Sequence, residues 1–368
     1  MTMINLSASQ NSLIRFNTVN AESSLNSSII NVGVAPKGIF FDQDNHFLYV
    51  ANYASKSISV INVTTNTVTK VINTTGYCWQ FAYDPNNKNL YVSNDYANYI
   101  TILDTKSNTV IGNITTGLHA YDVVVIYNPY NKLLYVDSDQ DNYLLAINTT
   151  TNTIMASIPI GKGAGNSDNI AIDKNNYIYV PNHISDTLNI INGYTNKVIK
   201  TVIIGKAPGA TLFDPYNGYI YISLQGYVFA PQHIMLVYDP VRNKIIKEIE
   251  IGNLPSALYY DGTNHAIYEL NVQNSSLGII NDTSNTLVSF ISVGSGASGI
   301  AIPSDNASIY ITNAGDNNLL YFKLSNLLLY AQQNKFNLSS SSLYFLSTPI
   351  MTLSLLLIVV YKKKKAVK

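Results

Sequence analysis

Three carboxylates alternate in Asp137-x-Asp139-x-Asp141, a spacing at which side-chain oxygens can converge on a hard cation such as calcium. The rest of a helix–loop–helix calcium loop is missing. Asn142 stands where its turn glycine belongs, and its twelfth position is Asn148. Aspartates that shape a turn by bonding their own backbone account for the same pattern. A second set mixes rings with polar groups: Trp79, His119, Tyr121, Asp122, Asp139, Asp141, Asp168, His183 and Tyr227. Ring faces beside carboxylates suit a sugar or other polyol, and they suit ordinary packing equally well. His119 with His183 is the one histidine pair that could share a transition metal.

Nucleophilic and acid–base chemistry find little support. Cys78 is the single cysteine and has no motif around it, which fits a small buried residue better than a nucleophile. It also excludes an internal disulfide framework and a cysteine-rich zinc site. The five histidines, at 46, 119, 183, 233 and 265, are widely separated. The two arginines, Arg15 and Arg242, stand apart from these groups, so no arginine clamp for a phosphosugar is expected. No catalytic residue is assigned, and calcium at Asp137, Asp139 and Asp141 is the one cofactor these residues suggest, on an incomplete loop.

The elements that must position these groups come from a repeat. FLYVAN (47–52), NLYVSN (89–94), LLYVDS (133–138), YIYVPN (177–182), YIYISL (219–224), AIYELN (266–271) and SIYITN (308–313) are seven copies of one strand. Their tyrosines, Tyr49, Tyr91, Tyr135, Tyr179, Tyr221, Tyr268 and Tyr310, are 42 to 47 residues apart. That period with short strands means a propeller or a solenoid. Each copy holds four strand-like runs between turn signals, as a four-stranded blade requires. In the first, strand A is Lys37 to Asp42, B is Phe47 to Asn52, C is Ser57 to Val63 and D is Thr67 to Ile72. Asp84-Pro85, Asn128-Pro129 and Asp214-Pro215 mark A–B turns. Asn66, Asn108, Asn152, Asn196, Asn243 and Asn285 close C–D turns, where asparagine tolerates a left-handed backbone.

The seventh repeat stops after its third strand, Leu319 to Lys323, while a D-like run, Ser24 to Val32, precedes the first. The N-terminal run is therefore expected to complete the last blade and remove its open edge. Ser12 to Asn17 reads as a surplus C-like strand. The fold class is all-β: a seven-bladed β-propeller of four-stranded antiparallel blades, plus one C-terminal transmembrane helix.

The motifs YVAN, YVSN, YVPN and YITN, with an upstream G-x-x-P at Gly33–Pro36, Gly205–Pro208 and Gly252–Pro255, resemble the YVTN β-propeller repeat family over about residues 24 to 323. Such repeats are common in archaeal surface-layer and other cell-surface proteins, so the resemblance implies binding or adhesion. Lactonases and amine dehydrogenase heavy chains are similar too, which keeps a lactonase-like hydrolase or metal-assisted lyase open as the alternative.

Repeat spacing locates the irregular parts. From tyrosine to C–D asparagine is 17 residues, but 22 from Tyr221 to Asn243, with the extra length in 224–233. From that asparagine to the next tyrosine is 25 residues, but 27 into the third and fourth blades, with the extra in 117–127 and 161–172. All three insertions fall in B–C or D–A loops, which share the face at the mouth of the channel. Insertions accumulate where function is added to a scaffold, so the ligand site is expected there.

Charged residues are only 12% of the chain, and 22 basic side chains balance 22 acidic ones. A neutral chain lacks the basic footprint of a nucleic-acid binder. Glutamate is confined to Glu22, Glu248, Glu250 and Glu269. A surface of Asn, Ser, Thr and Tyr changes charge little with pH, which suits an extracytoplasmic setting; an AT-rich genome favours Asn, Tyr, Ile and Lys as well. Leu343 to Tyr361 is a 19-residue run without charge, followed by Lys362 to Lys365. It is long enough to span a membrane, and the lysines place the propeller outside.

The expected order is an extension (1–23), the propeller (24–330), a Ser-rich stalk (331–342), the span (343–361) and a basic cytoplasmic tail (362–368). The opening MTMINLSASQ has no apolar run of a secretory signal, so the outward orientation expects the natural start further upstream; the alternative, tail-first insertion, would leave the propeller in the cytoplasm. Glycosylation is expected among the sequons at Asn62, Asn73, Asn113, Asn148, Asn274, Asn281 and Asn306 if the domain is outside. Chance alone yields about as many sequons. The partners expected are the lipid membrane and a surface glycan or surface protein.

Overall fold

A computed structural model describes residues 19–20, 25–117, 124–137, 141–163, 169–227, 230–305 and 307–327. It is an all-β ring of seven antiparallel sheets, each following the A-to-D order. The first blade runs Pro36–Asp42, Phe47–Asn52, Ser57–Asn62 and Thr67–Asn73. Ser28–Asn31 supplies the fourth strand of the last blade, antiparallel to Asn318–Lys323, with Ile30 opposite Leu319. The edge so closed is reinforced by one helical turn at 324–327, where Asn326 Nδ2 donates to the carbonyl of Leu25 (2.8 Å). Val19–Asn20 lies parallel to Thr286–Ser292 as a fifth strand on the sixth blade, an addition the repeat grammar does not foresee. The C-like run 12–17, the stalk and the apolar run 343–361 lie outside the described residues. Among the described residues no helix is long and apolar enough to cross a membrane.

Each B strand is buried on both faces, because its side chains alternate between the two neighbouring blades. Tyr49 packs toward the second blade with Val92 and Leu103, whereas Val50 packs toward the seventh with Ile30, Ala301 and Tyr310. Burying such a side chain contributes about 1.5–3 kcal/mol, repeated around the ring. The repeat tyrosines carry their hydroxyls to the A–B and C–D turn face. Tyr49 Oη bonds Asn108 Oδ1 (2.6 Å) in the next blade, and Tyr135 Oη bonds Asn196 Oδ1 (2.5 Å). Tyr221 does the same with Asn285, and Tyr310 bonds Asn66 (2.7 Å) across the closure. Those asparagines have φ between 52° and 54°, so one residue both makes the left-handed turn and staples two blades.

Three tyrosines depart from the rule: Tyr91 donates to the Thr149 carbonyl (3.2 Å) rather than to Asn152, and the other two depart for a visible reason. In the fifth blade Asn243 already bonds Tyr238 (2.5 Å), and Tyr179 turns to Asp173 (3.0 Å) instead. The seventh blade takes its outer strand from the N-terminal side and so has no C–D turn. Tyr268 accordingly bonds Asp261 (3.3 Å) of its own blade. Burial pushes these phenols up, to about 12 for Tyr135 and Tyr310. The A–B turns are built as their sequences predict, with Asp84 Oδ1 accepting from the Asn86 N–H (2.9 Å) and Asn128 Oδ1 from the Tyr130 N–H (3.0 Å).

The opposite face owes its shape to a second asparagine, the last residue of each YVxN motif. Asn52 Oδ1 accepts from the Gly33 N–H (3.0 Å). A Cβ on Gly33 would stand 2.6 Å from Asn52, and one on Gly252 would stand 2.3 Å from Asn271. Only glycine allows that approach, which is why the D–A loop opens with it.

Candidate ligand site at the mouth of the channel

The innermost strands enclose a cavity of about 730 Å³ along the ring axis. Most of its lining is aliphatic or aromatic, including Phe40, Phe81, Val125, Ile170 and Leu258. Its polar lining groups come from a few positions near the D–A and B–C loops: Lys37, Gln80, Asn169, Gln225, Ser256 and Ser298. Several of these stitch neighbouring inner strands together. Gln225 Nε2 donates to the Pro255 carbonyl (3.0 Å), and Ser298 Oγ donates to the Pro36 carbonyl (3.0 Å).

The first two blades gather aromatic rings at this mouth. Tyr53 meets Trp79 edge-on with centroids 5.6 Å apart, and meets Tyr77 at 5.1 Å. Tyr96 extends the group, 5.8 Å from Tyr77, and is 59% exposed. Two ammonium groups rest on these rings: Lys37 Nζ lies 4.6 Å from the Trp79 centroid and Lys56 Nζ lies 4.2 Å from that of Tyr77. Tyr53 Oη donates to Asp95 Oδ2 (3.2 Å), and burial together with that carboxylate holds the phenol well above its ordinary range.

Of the residues singled out in the sequence, Trp79 lines the cavity. His183 and Tyr227 are brought together on the fourth and fifth blades, edge-on at 6.0 Å, and Tyr227 Oη donates to Asp186 Oδ1 (2.8 Å). That hydrogen bond raises the Tyr227 phenol. Asp141 is half-buried just before the third strand of the third blade. His119, Tyr121, Asp122, Asp139 and Asp168 lie outside the described residues. Asp137 is buried at the end of its strand, opposite Val124. Among the described residues, no three His, Cys, Asp or Glu side chains are placed to hold a metal ion.

Cys78 is buried beside Thr74 Oγ1 (3.0 Å), and burial pushes its thiol up to about 11. A thiol so protonated is a poor nucleophile at neutral pH. His46 and His265 occupy left-handed positions in A–B turns, with φ of 60° and 51°, on the face away from the mouth. Arg242 sits in a C–D turn, paired with Asp239 (2.9 Å). The expected five-residue insertion in the fifth blade is not a loose loop. It lengthens strands B and C into a ribbon, Ile220–Tyr227 against Ala230–Asp239, with Tyr227 opposite Ala230. Among the sequons, Asn73, Asn113 and Asn274 are exposed, whereas Asn62, Asn148 and Asn281 are half-buried and cap C–D turns. Asn306 lies outside the described residues.

Sequence reasoning passed over Lys37, Lys56, Tyr53 and Tyr96. A signal for two of them was present: Tyr53 follows YVAN directly, and Tyr96 follows YVSN by one residue. Lys37 has a register signal. Pro36 pairs with Asn52 as Cys78 pairs with Asn94, so Lys37 and Trp79 are equivalent positions on adjacent inner strands.

The fold and its channel define a seven-bladed β-propeller. No family model matches the sequence, and no curated protein matches it. Among solved structures, the chain is similar to a chain of Kuenenia stuttgartiensis hydrazine synthase, with a TM-score of 0.69 over 80% of this chain and 97% of that one. Identity is 16%, so the likeness is one of fold.

Proposed function

We propose that this chain is a binding module of the cell surface, a propeller tethered to the membrane through 343–361 and facing outward. It holds its ligand, a surface glycan or a group on a surface protein, at the D–A and B–C mouth of the channel. The observation that carries this reading is the 730 Å³ cavity lined in part by Trp79, whose ring is packed edge-on against Tyr53. A concave, mostly apolar site with a few convergent polar groups is the usual form of a ligand pocket. The YVTN-like motifs agree with a surface role, as do the charge-free run and the lysines behind it. In this orientation Asn73, Asn113 and Asn274 are the sequons best exposed for glycan attachment.

The test is binding of the full chain to arrays of surface glycans and surface proteins, with Trp79→Ala beside it. Retention on an array that Trp79→Ala abolishes, with an unchanged melting temperature, supports the reading. Binding insensitive to Trp79→Ala and lost on altering the A–B turns moves the site to the other face. Protease added to intact cells tests the orientation, which fails if only permeabilised cells release the propeller.

A further inference from the structure

We infer that the channel takes an organic monoanion, a carboxylate with a compact apolar body, and that Lys37 is the group that binds its charge. This deepens the reading of the channel as the ligand site and rests on it. Lys37 is the one charged side chain in the described cavity lining. Among the described residues it makes no ion pair; its Nζ rests against the face of Trp79, 4.6 Å from the ring centroid. The ring attracts the ammonium by its quadrupole and fixes its place without neutralising it.

An ammonium in a concavity with no other charged lining residue lacks a counter-charge, and an entering anion supplies one. Of the other polar lining groups, all of them uncharged, three are already engaged. Ser298 Oγ and Gln225 Nε2 already donate to strand carbonyls, and Ser256 Oγ donates to the carbonyl of Leu270 (3.4 Å). What remains for the body of the ligand is the partly exposed apolar lining of Ile39, Phe40, Phe81 and Ile126. That lining fits the apolar face of a ring or a short chain.

Trp79 is the only tryptophan in the chain, so its fluorescence reports occupancy beside Lys37. The full chain is titrated with cyclohexanecarboxylate and with cyclohexylmethanol, its neutral counterpart of similar size. The acid is expected to perturb Trp79 at concentrations at least tenfold lower than the alcohol. Lys37→Met, which keeps an apolar stem, should abolish that preference while leaving the alcohol unchanged, and Lys37→Arg should keep it. Equal affinity for acid and alcohol, or a preference that survives in Lys37→Met, overturns the inference and leaves the channel reading standing. If neither probe reaches Trp79, both fall. Circular dichroism of each variant confirms the fold, and Lys37→Gln serves should Lys37→Met unfold.

Discussion

The two faces of the ring use the same residue types to opposite ends. On the turn face, tyrosine and asparagine recur in register and nearly every hydroxyl finds a fixed partner, as Tyr49 does in Asn108 and Tyr310 in Asn66. At the mouth, the equivalent inner-strand position is Lys37 in one blade, Trp79 in the next and Ser298 in the last. Repetition marks what holds blades together; its breakdown marks what is free to meet a ligand. A residue belonging to the repeat should therefore cost stability when changed, and one breaking it at the mouth should cost binding.

The largest effect expected is at the closure. Removing residues 1–32 deletes the ladder on Asn318–Lys323 and takes away the buried Leu25 and Ile30. The last blade is left with an open edge, and several kcal/mol should be lost. Ile30→Ala is the milder form, costing about 2–4 kcal/mol by cavity formation. Denaturant midpoints measure both, and an unchanged midpoint after truncation contradicts the closure as a source of stability.

Glu269 sharpens the comparison, because it breaks the repeat inside the core. It takes the place held by Val50, Val92 and Ile311, fully buried, with only Oε2 bonded, to Asn271 Nδ2 (3.1 Å). Gly278 on the adjoining strand makes room, since a Cβ there would lie 2.5 Å from Oε2. Burial pushes the carboxyl from its ordinary 4.5 up to about 8. Below pH 4.5 folded and unfolded chains both carry the proton. Between 4.5 and 8 only the folded chain does, so stability falls as pH rises, and the slope ends once both have ionised. The loss over that window is on the order of 5 kcal/mol. Glu269→Gln should flatten the pH dependence, and identical slopes in parent and variant would falsify the assignment. A fold firmest in acid agrees with a surface that carries few titrating groups.

The staples on the turn face are individually smaller. Tyr135→Phe removes the bond to Asn196 while keeping the buried ring, and about 1 kcal/mol should be lost. Asn196→Ala should cost more than Tyr135→Phe, because it loses the acceptor and forces a side chain with a poor left-handed preference to φ 52°. Equal costs would mean that the turn conformation carries no strain.

Much of this fold was legible in the chain. A period set by seven tyrosines, the A–B prolines and the C–D asparagines report local geometry, and local geometry is written in consecutive residues. The partners of those tyrosines were not legible. Tyr49 and Asn108 are 59 residues apart, and which neighbouring blade a hydroxyl reaches depends on the stagger of the ring. The mouth was read through loop length, which points to the third, fourth and fifth blades. The described aromatic group is on the first and second, where the loops have the standard length and length carries no signal. Lys37 escaped for a related reason. One lysine after a proline looks like any solvated lysine until the strand register sets it beside Trp79.

The smallest stability effect, and the sharpest test of the division between faces, is expected at Tyr96. It stands in the B–C loop of the second blade with φ 56°, is 59% exposed, and touches the aromatic group edge-on through Tyr77. Little core is lost when such a ring is removed, so Tyr96→Asn should change stability by less than about 0.5 kcal/mol. Asparagine is the suitable replacement because it accepts the left-handed backbone that alanine resists. The ring nevertheless adds an exposed rim to the Trp79 wall, and tyrosine supplies contact area at low entropic cost. Tyr96→Asn should therefore weaken binding of any glycan or protein the mouth retains while its melting curve overlays that of the parent. Loss of stability without loss of binding would place Tyr96 with the scaffold, and the separation of roles between the two faces would fail at the position where it is most exposed to test.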